Sequence, residues 1–126
     1  MIELGTGTGI AGLAAAAAGA SAVLLTDQLL SQARVNVGLN PRLSERVQLL
    51  ELRWGTDSAA RTQLDEARRL GPWDVTIAAD VVYPASEAAL PALLHTARAL
   101  GDRALIGYVE REAATTARLH SELRAL

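Results

Sequence analysis

The sequence predicts a parallel, doubly wound α/β sheet covered by helices on both faces. Short apolar, strand-like runs alternate with helix-length segments along the whole chain. No hairpin dipeptide such as Asn-Gly joins one run to the next. Residues 74–79 (Asp-Val-Thr-Ile-Ala-Ala) form the continuous kind of run that arises when both faces of a strand are buried.

Residues 1–4 read as the first strand, which stops at a glycine cluster. A helix follows over about residues 9–18, because an alanine stretch favours helix and Gly19 supplies a C-terminal stop. Residues 22–26 read as a buried second strand ending in Asp27. Residues 29–39 carry apolar side chains at helical spacing, and Asn40-Pro41 ends that helix. Residues 47–51 are the third strand, and the charged stretch 58–70 is a surface helix closed by Gly71-Pro72. After the fourth strand, 74–79, a helix is expected over 85–100, with Ser86 near its start and Gly101 at its end. Residues 103–108 are the fifth strand and 112–126 the final helix. With no repeat or linker, residues 1–126 are expected to form one domain, large enough to bury a core.

Composition narrows the functional classes. Half of the residues are hydrophobic and 21% are charged, so a folded chain is expected. With no Phe, two Trp and two Tyr, the core must be aliphatic. A formal net charge of −2 offers no basic field for phosphate backbones, and nucleic acid is not an expected partner. All twelve basic residues are Arg, which is read as a matter of base composition. The lack of Cys excludes disulfides, a thiolate nucleophile and cysteine-ligated metal, and is compatible with a cytoplasmic location, or a nuclear one in a eukaryote. Residues 10–25 imitate a signal-peptide core, but Glu3 precedes them, no Lys or Arg does, and Gly12 and Gly19 interrupt them. The stretch is also short for a bilayer, so it reads as helix then strand, with no membrane partner. His95 and His120 have no Cys or acid at ligand spacing, and no metal site is assigned.

The strongest local signal is Glu3-Leu4-Gly5-Thr6-Gly7-Thr8-Gly9. A strand leading through alternating glycines into a helix lets the backbone approach a ligand closely, and the helix N-terminus offers it free N–H groups. Gly7-x-Gly9-x-x-Gly12 also fits a dinucleotide fingerprint, and Asp27, about 20 residues on, can take the two hydroxyls of a ribose in either kind of cofactor. Glu3 favours a cofactor carrying an amino-acid ammonium over one carrying a pyrophosphate.

Further motifs follow in order: the helix 33–40 with Asn36 and Asn40, Leu52-Arg53-Trp54-Gly55 after the third strand, Asp80-Val81-Val82-Tyr83 after Ala78-Ala79, and Tyr108-x-x-Arg111 after the fifth strand. The ordered set spans nearly the whole chain. It resembles the Rossmann-like class I S-adenosylmethionine-dependent methyltransferases, most closely their protein-lysine group marked by Asp-x-x-Tyr. The resemblance implies S-adenosyl-L-methionine as cofactor. Glu3, Gly5, Gly7 and Gly9 would hold its methionine part, Asp27 its ribose, and Trp54 its adenine edge, with Ala79 also on the cofactor side. Asp80 and Tyr83 would be catalytic, Asp80 orienting a lysine amine of a protein substrate and Tyr83 shaping an apolar channel. Arg53 stands where that group has an acid, which puts a hydrogen bond to the adenine amino group in doubt.

The first strand has about three residues before its loop, against five or six in an ordinary strand, and the chain stops on a helix where a complete methyltransferase sheet continues. A sheet of about five strands, truncated at both ends, is therefore expected. Other readings stay open: a methyl acceptor that is a protein histidine or a small molecule, or a non-catalytic module that binds cofactor or a partner. An NAD-dependent oxidoreductase is disfavoured, because no Tyr-x-x-x-Lys pair is present. Each site residue also has a plainer reading: Trp54 as core, Asp27 as a helix cap, and Asp80 to Tyr83 as a capped turn before Pro84. Oligomeric state, the degree of methylation and the acceptor's identity are not encoded in these motifs.

Overall fold

The computed structural model describes residues 1–125. Five strands, β1 (Ile2–Leu4), β2 (Val23–Asp27), β3 (Val47–Glu51), β4 (Thr76–Ala79) and β5 (Ala104–Gly107), form one sheet in the order β3-β2-β1-β4-β5. Every pairing is parallel. Between them lie helices α1 (Ile10–Ala17), α2 (Ser31–Gly38), α3 (Pro41–Ser44), α4 (Ser58–Arg69) and α5 (Leu90–Leu100), and α6 (Ala113–Arg124) follows β5. This is the doubly wound α/β architecture expected.

The period-2 alternation of strand side chains divides the core in two. Ile2, Leu4 and Leu24 face α4 and α5, packing with Leu64, Ala67, Leu93 and Ala97, and Leu119 of α6 joins them. Val23 and Leu25 face the other way, onto Leu13 and Ala16 of α1 and Ala33 and Val37 of α2. With no Phe to fill space, Trp73 supplies bulk at the end of the first cluster, and its indole N–H donates to the Ala67 carbonyl at 2.8 Å.

Two expectations are corrected. Asn40-Pro41 does end α2, but Pro41 then opens the one-turn α3, because a proline in a first turn gives up an N–H that has no helical partner. The segment expected as one helix over 85–100 is divided into a 3-10 helix (Pro84–Ala89) and α5. Pro91 lacks an N–H to reach back four residues and belongs to the first turn of a new helix. Other element ends move by a residue or two, and the last residue of the expected final helix, Leu126, lies outside the described residues.

Candidate active site

The chain proceeds from β1 to β2 and β3 on one side, then returns to place β4 and β5 on the other. The loops leaving β1 and β4 therefore diverge, and open α/β sheets bind ligands in the crevice left at such a point. A cavity of about 480 Å³ opens there. Its walls bring together six of the residues singled out in the sequence: Gly5, Gly7, Asp27, Trp54, Asp80 and Tyr83. Gln28, Leu52, Val81, Ala85, Ser86 and Ala89 complete the lining. Leu52 and Val81 sit inside recognised motifs, whereas nothing in the sequence marked Gln28, Ala85 or Ala89.

The glycine loop is built by close approach. Gly5, at φ 67°, is pressed so near Val81 and Trp54 that a Cβ would lie 2.6 Å from the Val81 Cγ1. Gly7, at φ 53°, has open space where its Cβ would be. The loop is held from below. Glu3, buried in β1, accepts through Oε2 from the Thr6 hydroxyl at 2.7 Å and from the Gly12 N–H at 2.9 Å. From α2, the Asn36 side-chain amide donates to the Thr8 carbonyl at 2.8 Å. Burial raises the Glu3 carboxyl above its ordinary range, against the lowering effect of those two hydrogen bonds. Glu3 and Gly9 do not line the cavity: Glu3 braces the loop, and Gly9 lies against Leu25. Ala79 is likewise outside the lining, paired in register with Gly107.

Asp27, the last residue of β2, accepts the Gly7 N–H at 2.8 Å and the Leu29 N–H at 3.2 Å. α2 starts four residues after it, and its N-cap position is Leu30, so Asp27 is not that helix's N-cap. Beyond β3, Trp54 both lines the cavity and packs on the core. The Arg53 guanidinium turns away to Asp57 at 2.9 Å, the N-cap of α4, and is absent from the lining.

On the β4 side, Asp80 is the one non-glycine residue with positive φ among those described (56°), and its N–H donates to the Gly107 carbonyl at 2.7 Å. Asp tolerates this left-handed conformation better than most residues. Its carboxylate takes both arms of Arg111, at 2.8 and 3.0 Å. That fork holds Asp80 below the ordinary carboxylate range and raises Arg111 in turn. The Ser86 hydroxyl lies 2.7 Å from the Val81 carbonyl and accepts the Tyr83 N–H at 3.0 Å, tying the strap between Asp80 and the 3-10 helix. Tyr83 is partly exposed at the cavity.

The lysine methyltransferase family profile matches residues 1–120. The chain belongs to the lysine methyltransferase family. It is 36% identical over 100 residues to the protein N-lysine methyltransferase METTL21A of Danio rerio, an alignment covering 76% of this chain and 41% of that relative. The chain thus spans about two fifths of the relative's length. No solved structure matches it significantly. Membership of a methyltransferase family implies S-adenosyl-L-methionine as methyl donor. The site fits such a group: the volume lies in the range of small-molecule pockets, Gly7 leaves its Cβ space open, and the acid at the end of β2 shares the lining with the apolar Leu52 and Trp54. Among the described residues no cluster of acids and histidines could hold a metal ion, and no helix is long and apolar enough to cross a membrane.

Proposed function

We propose that residues 1–126 are the cofactor-binding core of an S-adenosyl-L-methionine-dependent protein-lysine methyltransferase. The carrying observation is the junction at the β1/β4 switch point, where the glycine loop and Asp27 face the Asp80–Tyr83 strap across one cavity. Gly5, Gly7, Asp27 and Trp54 would hold the cofactor directly, and Glu3 and Gly9 would act by shaping the loop. When bound, the cofactor would supply a sulfonium methyl group, whose carbon a neutral amine would take up as the carbon–sulfur bond breaks and the neutral thioether leaves.

The chain's own task is to align the amine and let it lose its proton, since a lysine side chain titrates near ~10.4 and is mostly charged at neutral pH. Asp80, kept ionised by Arg111, would orient the incoming ammonium. The same pairing makes Asp80 a poor base, so the amine proton would leave to solvent. Tyr83 would flank the acceptor with an aromatic face that tolerates positive charge.

The test is calorimetric titration of the purified chain with S-adenosylhomocysteine and with NAD, followed by transfer of labelled methyl groups to polylysine. The chain contains no Lys, so amine-bound label on a lysine must sit on the added acceptor. Asp80→Ala should abolish transfer while sparing S-adenosylhomocysteine binding. Binding of NAD alone would overturn the reading, and binding of neither would favour a non-catalytic module.

A further inference from the structure

The segment that follows β5 holds both the strap that carries Asp80 and the 3-10 helix after it. Arg111 forks the Asp80 carboxylate. In the first turn of α6 the Thr115 hydroxyl donates to Glu87 at 3.3 Å, and Arg118, further along, reaches the other oxygen of Glu87 at 3.3 Å. Asp80 is also fixed at its backbone, in a left-handed conformation with its N–H on Gly107. Backbone and side chain of this one residue are thus both determined by β5 and the loop after it.

A structural purpose explains this poorly. The side chains of Arg111 and Asp80 are 43% and 59% exposed. Ion pairs so open to water contribute little to folding. What a planar fork does supply, and a point charge does not, is a defined carboxylate plane.

We propose that Arg111 is a positioning residue that sets the orientation of the Asp80 carboxylate at the rim of the cavity for a cationic acceptor side chain. The proposal rests on the protein-lysine methyltransferase reading above. Asp27 and Tyr83 are the other titratable groups lining this cavity, and the hydrogen bonds to the Asp80 carboxylate come from Arg111.

The test compares the full chain with Arg111→Gln and Arg111→Lys. Three readouts are taken: the urea midpoint, calorimetric affinity for S-adenosylhomocysteine, and kcat and KM for methyl transfer to polylysine. A fourth, carbon-13 NMR titration of the Asp80 carboxyl, needs neither cofactor nor acceptor. Arg111→Gln should leave the midpoint and S-adenosylhomocysteine affinity close to wild type, move the Asp80 titration to higher pH, and lower kcat/KM by about tenfold or more. Arg111→Lys should restore the charge effect on Asp80 but only part of the kcat/KM. An Asp80 titration identical in wild type and Arg111→Gln would overturn the proposal, as would full recovery of kcat/KM by Lys. If wild type neither binds S-adenosylhomocysteine nor transfers methyl groups, the enzymatic reading fails by itself, and the NMR titration still decides whether Arg111 holds Asp80.

Discussion

The Glu3 carboxylate and the Gly12 backbone N–H meet at 2.9 Å, joining the end of β1 to the first turns of α1 beneath the glycine loop. No side chain fits between them. A Cβ on Gly12 would stand 2.7 Å from the Glu3 Oε2 and overlap the buried Leu25 side chain. Gly12→Ala should therefore destabilise the protein, although alanine is the better helix former. Overpacking costs about 1–3 kcal/mol and helix propensity returns about 1, leaving a net loss of up to about 2 kcal/mol. Urea denaturation measures it, and a stabilised variant would show that strand and helix can move apart freely.

Glu3 also makes stability depend on pH with an unusual sign. Because burial raises its folded-state value, the folded protein holds the proton more tightly than the unfolded chain. The favourable contribution is present below the unfolded value and is lost as pH rises through the raised one. Glu3→Gln removes the titration while its amide oxygen can still accept from Thr6 and Gly12. The variant should gain on wild type as pH rises through the interval just above the ordinary carboxylate range. Unfolding curves across that interval check it; a constant difference would mean that burial does not shift Glu3.

Gly7→Ala should separate binding from folding. At φ 53° an alanine pays about 1–2 kcal/mol of left-handed strain, and nothing in the protein collides with its methyl group. The methyl would occupy space kept open for a ligand. The expected result is a modest fall in thermal midpoint with at least a tenfold loss of S-adenosylhomocysteine affinity by calorimetry, since ~1.4 kcal/mol of clash suffices for that. Unchanged affinity would mean that the ligand lies elsewhere.

The two tryptophans should report differently. Trp54 lines the cavity, while Trp73 is 7% exposed and bonded to Ala67. S-adenosylhomocysteine should change the fluorescence of wild type and leave that of Trp54→Phe unaltered. A persisting signal in the variant would assign the response to Trp73.

The sheet was legible because its signals are local. The third strand runs from Val47 to Glu51 as its residues predict, an apolar run between the charges of Arg46 and Glu51. What escaped depends on register between distant segments. That Glu3 points to α1 rather than into the cavity follows from strand alternation, which three residues of β1 are too few to declare. The pairing of Asp80 with Arg111 spans 31 residues and needs β4 and β5 side by side before it can be seen. Pro84 marks a turn in the sequence, but the division of residues 84–100 into a 3-10 helix and α5 shows only in the packed structure. Lining residues such as Ala85 and Ala89 carry no chemistry of their own, so position alone marks them.

The join between β1 and β4 consists of two registered pairs, Ile2 with Thr76 and Glu3 with Ile77, against five between β2 and β3. The sheet is thus narrowest directly below the crevice. Any molecule gripping Gly5 and Asp27 on one bank and Val81 and Tyr83 on the other acts as a staple over that seam. Occupancy would then slow amide exchange at Ile2 and Ile77 more than at the outer strands, and the two halves of the chain would unzip as one cooperative unit rather than in turn.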